Sequence, residues 1–154
     1  MKKIGLVPVV LLILLVALYL VWHPFLYDGR YFAELGLSDG RRYQDVMHNM
    51  GEPLHVEAHE NRYYVDYDGL VFVYDNLEKG AVESVRITGE QYRFGYWRIG
   101  VGTPRRKVES VYRHVKKILD LGENEFGVIE GETWIWFEFD KDHFVSKITL
   151  SNGL

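Results

Sequence analysis

His55-Val56-Glu57-Ala58-His59-Glu60 is the stretch of this chain best equipped for chemistry. On a strand its side chains alternate, so His55, Glu57 and His59 share a face, where they could bind a metal. The spacing is not that of the helical zinc motif, because the glutamates fall in the wrong places. The segment follows Pro53 and lies at a strand edge or loop, so it reads first as a solvated polar segment, with His55 and His59 as weak metal-ligand candidates. Asp66, Asp68, Asp75, Asp140 and Asp142 supply carboxylates at or near turns. Paired carboxylates can do acid–base work inside a cleft, but Asp is also an ordinary turn residue. Arg41-Arg42 and Arg105-Arg106 open helices, where positive charge opposes the macrodipole. Solvent exposure is the expectation for both pairs, with an anionic partner as the alternative. The chain has no nucleophile elbow, phosphate-cradling glycine loop or dinucleotide fingerprint. It has no cysteine, which excludes thiolate zinc, a Cys nucleophile and a disulfide framework. No cofactor is implied.

These residues must be positioned by a folded domain. The chain has 154 residues, 47% hydrophobic and 15% aromatic, enough for a real core. Its 11 Tyr, 8 Phe, 4 Trp and 15 Gly favour sheet and tight turns over a helical bundle. The formal charge is −4, and Lys2 and Lys3 are the only charged residues before His23. The remainder is therefore more acidic than the whole, and nucleic acid is not expected as a partner.

Residues 1–22 read as a membrane anchor. An uncharged apolar run from Ile4 to Trp22 would span about 28 Å as a helix, close to the thickness of a bilayer core. The lysines at its start place the N-terminus in the cytoplasm, and Tyr19 and Trp22 suit the far interface. A cleaved signal peptide would have an apolar run of about 7–15 residues and a small-x-small end. Leu18-Tyr19-Leu20-Val21-Trp22-His23-Pro24 has no small pair, so a retained single span with the bulk of the chain outside the cytoplasm is expected. Residues 23–34 read as a tether.

The domain is written twice, as repeat 1 over 35–95 and repeat 2 over 96–154. Leu35-Gly36-Leu37-Ser38-Asp39-Gly40-Arg41-Arg42 matches Ile99-Gly100-Val101-Gly102-Thr103-Pro104-Arg105-Arg106. A helix follows each lead. The first runs from Tyr43 to Met50 and ends at Gly51-Glu52-Pro53. The second has Thr103 as N-cap and Pro104 as its first residue. Its apolar stripe is Val108, Val111, Tyr112, Val115, Ile118 and Leu119, and Gly122 closes it. Strand patterns come next: residues 70–75 match 135–140, and 82–88 match 145–151. The fold class is thus α+β, a transmembrane helix followed by two tandem helix-plus-antiparallel-sheet repeats that share one core.

Alternation assigns the faces. Leu70, Phe72, Tyr74, Ile135, Phe137 and Phe139, with Val85, Ile87, Ile148 and Leu150, should lie under the helices. Val71, Val73, Ser84, Arg86, Trp134, Trp136, Glu138, Lys147 and Thr149 should face the other way. Two tryptophans on a mixed face either pack under the tether or a loop, or anchor a protein partner. The partner-binding candidates are accordingly Trp134, Trp136, Glu138, Val71, Val73, Arg86 and Lys147.

Gly36-Leu37-Ser38-Asp39-Gly40-Arg41-Arg42-Tyr43-Gln44-Asp45-Val46, ending in Gly51-Glu52-Pro53, resembles the helix motif of outer-membrane-assembly lipoproteins of the SmpA/OmlA type. The tandem arrangement resembles the beta-lactamase inhibitor protein, two copies of a helix-and-sheet unit with a concave sheet. The likeness covers about residues 33 to 153. The lipoprotein cysteine and the inhibitor's disulfides are absent here. The resemblance implies a cell-envelope protein that binds other envelope proteins through its open sheet face, without catalysis. A wall- or glycan-acting enzyme using His55, His59 and nearby carboxylates is the alternative. A protein that sequesters a toxin or hydrolase is another.

Overall fold

A computed structural model describes residues 11–18, 42–94, 97–113, 117–120, 122–130 and 133–152. Sheet predominates among them. A helical stretch over residues 11–18 (α1) and two eight-residue helices, α2 (Tyr43–Met50) and α3 (Arg105–Tyr112), accompany ten strands among the described residues. The strands are β1 (His55–His59), β2 (Arg62–Tyr67), β3 (Leu70–Tyr74), β4 (Val82–Ile87), β5 (Arg93–Phe94), β6 (Ile99–Gly100), β7 (Lys117–Asp120), β8 (Glu125–Glu130), β9 (Thr133–Phe139) and β10 (Val145–Asn152).

Eight strands form one antiparallel sheet in the order β1-β2-β3-β4-β10-β9-β8-β7. Each half is a helix and four strands joined by hairpins, and the halves meet where β4 pairs with β10. The order reads outward from that seam in the same way on both sides. The seam pairs Val85 with Leu150, Arg86 with Thr149 and Ile87 with Ile148, so a local two-fold passes beside Arg86 and Thr149. β5 and β6 form a separate two-stranded ladder in the connection between the halves.

The period-2 pattern explains why these segments are strands with one buried side. Leu70, Phe72, Tyr74, Val85, Ile87, Ile135, Phe137, Phe139, Ile148 and Leu150 are all buried. Val46 of α2 and Val108, Val111 and Tyr112 of α3 belong to the same core, so both helices cover one face of the sheet. Tyr43 meets Tyr74 edge-on at 6.0 Å, and Tyr112 meets Phe137 at 5.4 Å. The β2–β3 hairpin turns at Asp68-Gly69, where Gly69 has φ 76° and its carbonyl accepts the N–H groups of Thr88 and Gly89. A side chain there would run into Gly89, so the turn needs glycine for space as well as for φ.

Several expectations are overturned. Among the described residues, no helix is long and apolar enough to cross a membrane. The rest of Ile4–Trp22 and the tether 23–34 lie outside the described residues, as does the first lead from Leu35 to Arg41. The transmembrane helix, and the placement of the chain as a single-pass membrane protein with a cytoplasmic N-terminus and an extracytoplasmic domain, are therefore withdrawn. The fold class changes with them, to a predominantly β architecture built on one eight-stranded sheet.

The second helix is also shorter than its stripe suggested. It ends at Tyr112, and Ile118 and Leu119 lie on β7. A short apolar pair satisfies either period, and pairing with β8 decides for strand. Pro104 rather than Thr103 holds the N-cap position. Thr103 is buried, and its hydroxyl accepts the Gly100 N–H at 3.0 Å instead. The helix match between halves shifts as well. Arg42 bridges Ala81 and Pro104 bridges Phe144, so Arg42 corresponds to Pro104 and not to Arg106.

Candidate functional site

The face of the sheet away from the helices is open at its centre. Cross-strand pairing lays its side chains in rows. One row runs His55, Asp66, Val71, Arg86, Thr149, Trp136, Gly127, Leu119. The next runs Glu57, Tyr64, Val73, Ser84, Ser151, Trp134, Ile129. Side chains within a row stand about 5 Å from their neighbours.

Arg86 is exposed at the middle of this face. Its guanidinium carbon lies 5.2 Å from the centre of the Tyr64 ring, a cation–π contact that holds the group against the sheet. Trp136 is half-buried beyond Thr149. Its indole N–H donates to Glu125 Oε2 at 3.2 Å, and the glycine at position 127 beside it leaves no side chain to crowd the ring. Lys147 Nζ and Glu138 Oε1 form an ion pair at 2.6 Å. Arg62 Nε donates to Glu83 Oε2 at 2.9 Å at the other end.

Two hollows meet at Arg86. One, of about 540 Å³, is lined by Arg62, Tyr64, Val73, Glu83, Ser84 and Ser151 among others. The second, of about 400 Å³, is lined by Trp136, Glu138, Lys147, Thr149 and Ser151. Arg86 and Ser151 belong to both.

Of the expected binding residues, the structure brings Arg86, Trp136, Glu138 and Lys147 around one hollow and puts Val73 in the other. Val73 is buried beneath its neighbours although it points to the open side. Val71 and Trp134 are half-buried on the same face but line neither hollow. Sequence reasoning missed Arg62, Tyr64, Glu83, Glu125 and Ser151. Tyr64 was within reach of it: alternation in Arg62-Tyr63-Tyr64-Val65-Asp66-Tyr67 places Tyr64 opposite the buried Val65 and Tyr67.

His55 and His59 lie on β1, at one edge of the sheet, and every residue of that strand is exposed. His59 Nε2 is 3.6 Å from Glu60 Oε1, and both side chains are well solvated. Among the described residues, no three His, Asp or Glu side chains form a group that could hold a metal ion.

The arginine pairs part company. Arg106 is exposed, and Arg41 lies outside the described residues. Arg105, expected in solvent, is instead tied down. Its Nε donates to Glu109 Oε1 at 2.6 Å, its Nη1 donates to the carbonyls of Gly122 and Glu123, and its guanidinium lies over Phe139. Asp140 is a turn residue: its Oδ1 accepts the N–H groups of Asp142 and Phe144, both at 2.9 Å.

No family model matches this chain, and no curated protein matches it by sequence. Solved structures do resemble it in fold. An extracellular protein containing a SCP domain from Bacillus anthracis aligns over 73% of this chain and 43% of its own, with TM-score 0.53 and 14% identity. A cysteine-rich secretory protein from Staphylococcus aureus aligns over 76% of this chain and 44% of its own, with TM-score 0.51 and 11% identity. A DUF4309 family protein from Bacillus subtilis aligns over 71% and 76%, with TM-score 0.45 and 15% identity. This chain spans less than half the length of the first two. None of the three is described as an assembly lipoprotein or a beta-lactamase inhibitor.

Proposed function

We propose that this chain is a non-catalytic protein-binding module whose binding surface is the open face of the eight-stranded sheet. The observation that carries the reading is Arg86, set over the Tyr64 ring and two strands across from Trp136 with Thr149 between them, on a face that the core does not use. Trp, Tyr and Arg dominate the hot spots of protein interfaces, and here all three surround adjoining hollows. The two flanking ion pairs give such a patch a polar rim. The resemblance to the assembly lipoproteins and the inhibitor implies the same mode of action. A toxin- or hydrolase-sequestering role is one form of it.

A wall- or glycan-acting enzyme built on His55 and His59 is the competing reading. Acid–base catalysis needs groups held in a shielded site with tuned proton affinities. Both histidines stand on a fully exposed edge strand, which favours the binding module.

Site-specific photo-crosslinking in the native cell tests the proposal. A photoreactive residue at Thr149 should give a discrete adduct with one protein, and Trp136→Ala should abolish it. The same group at Gln44, on the exposed side of α2, should give none. Equal adducts at Gln44 and Thr149, or an adduct indifferent to Trp136→Ala, would remove the sheet face as the binding surface.

A further inference from the structure

The charges on the open face are not evenly balanced. Arg62 is neutralised by Glu83 at 2.9 Å and Lys147 by Glu138 at 2.6 Å. Glu125 takes the Trp136 indole N–H. Arg86 has no ion-pair partner among the described residues. Its neighbour is the Tyr64 ring, which attracts the guanidinium without cancelling its charge. Asp66 shares its row, but two strands away, about 10 Å by strand spacing and near the screening length at 0.1 M salt.

The surroundings of Arg86 suit one small anion. Ser84 and Ser151 face each other across the seam, and Thr149 faces Arg86, so hydroxyl donors stand on the same side of the sheet. A guanidinium laid against a ring keeps its in-plane N–H donors for a ligand, and its fork matches a carboxylate bidentately. Among the described residues, Arg86 is the one cation lining the hollows without a carboxylate partner, and Glu83, Glu138 and Asp75 stand around it. That arrangement matches a single negative charge and repels a polyanion or a doubly charged phosphate.

We infer that Arg86, with the hydroxyls of Ser84, Ser151 and Thr149, forms a carboxylate subsite at the centre of the sheet, and that a protein partner docks by setting one Asp or Glu side chain into it. The inference rests on the reading of this face as a binding surface. The two hollows on either side of Arg86 would take the partner residues that flank that acid.

A random dodecapeptide library displayed on phage and selected on the full chain tests this. Peptides that bind the open face are identified by loss of binding to Ser84→Trp, which fills the larger hollow. The wild-type melting transition must be retained in each variant used. Face-binding peptides should share an acidic residue at one position. Changing it to its amide should weaken binding at least tenfold, and so should Arg86→Gln. In the Arg86→Gln background the peptide change should have little further effect, and Arg86→Lys should recover only part of the loss. Face-binding peptides without a fixed acid, or losses that simply add, would overturn the carboxylate subsite and leave the binding face standing. Selected peptides that all bind Ser84→Trp as well as wild type would overturn both.

Discussion

Ile87 and Ile148 are directly paired across the β4–β10 seam, both without solvent exposure, beneath the Arg86–Thr149 pair on the other face. This seam is the one junction between the two halves in the main sheet. Each half alone would expose a long apolar strand edge, which soluble domains avoid. The halves therefore stabilise one another through the same two strands that carry the centre of the open face.

Ile148→Ala should show that coupling. The substitution leaves a cavity at the seam and should cost about 2–5 kcal/mol. Denaturant unfolding followed by tryptophan fluorescence and by far-UV circular dichroism should give one coincident transition, shifted to lower denaturant. Two separate transitions would mean that the halves are independent folding units.

Tyr74 should respond in the opposite direction. It is fully buried, and its hydroxyl has no hydrogen-bond partner among the described residues. Burial, then the neighbouring Tyr67, Tyr43 and Asp45, push its ionisation well above the ordinary tyrosine range. Tyr74→Phe removes an unsatisfied polar group and should stabilise the fold by about 1 kcal/mol. The pH dependence follows from the sign of the shift. Below about pH 10 the hydroxyl is protonated in both states and costs nothing by linkage. Above that pH the unfolded chain loses the proton and the folded one holds it, so stability falls as pH rises. Tyr67, raised mainly by burial, acts the same way. Urea midpoints measured from pH 8 to 11 should decline more gently in Tyr74→Phe than in wild type; parallel declines would contradict the assignment.

The β1–β2 hairpin turns on Glu60 and Asn61, with φ of 49° and 63°. Both central residues thus lie in the left-handed region that a type I′ turn requires and that glutamate disfavours. Replacing Glu60 with Asn and Asn61 with Gly should raise stability by about 1 kcal/mol. A lower melting temperature in the double variant would show that the turn is held by something other than its backbone.

Arg105 joins α3 to the loop before β8 through the carbonyls of Gly122 and Glu123. Its guanidinium is about one-fifth exposed, so these charge-assisted bonds are only partly screened. Arg105→Ala should destabilise the fold by about 1–2 kcal/mol. Arg105→Lys should not restore it, because one ammonium cannot reach Glu109 and both carbonyls at once. Hydrogen exchange should quicken at residues 122–126 in both variants, while β3 and β4 remain as in wild type.

Local rules make the two faces of the sheet readable from the order of residues. Alternation at Leu70-Val71-Phe72-Val73-Tyr74 and at Ile135-Trp136-Phe137-Glu138-Phe139 separates core from open face, because successive side chains of a strand must point to opposite sides. Arg86, Trp136, Glu138 and Lys147 are legible as neighbours on one surface for that reason, as is Gly51 as the end of α2. Short apolar pairs are not: Ile118 and Leu119 satisfy the helix period as well as the strand period, and only β8 settles them. Nor can the apolar run before Trp22 be assigned by its composition alone.

The amino-acid sequence by itself determined which strand residues face the helices and which face the other way, because successive side chains of a strand alternate. Only the tertiary structure decided that β4 and β10 meet, that Tyr64 supports Arg86, and that glutamates take up Arg62 and Lys147 but not Arg86. Those facts depend on strand pairing between residues far apart in the chain, and the energy of a charge depends on what the fold sets beside it.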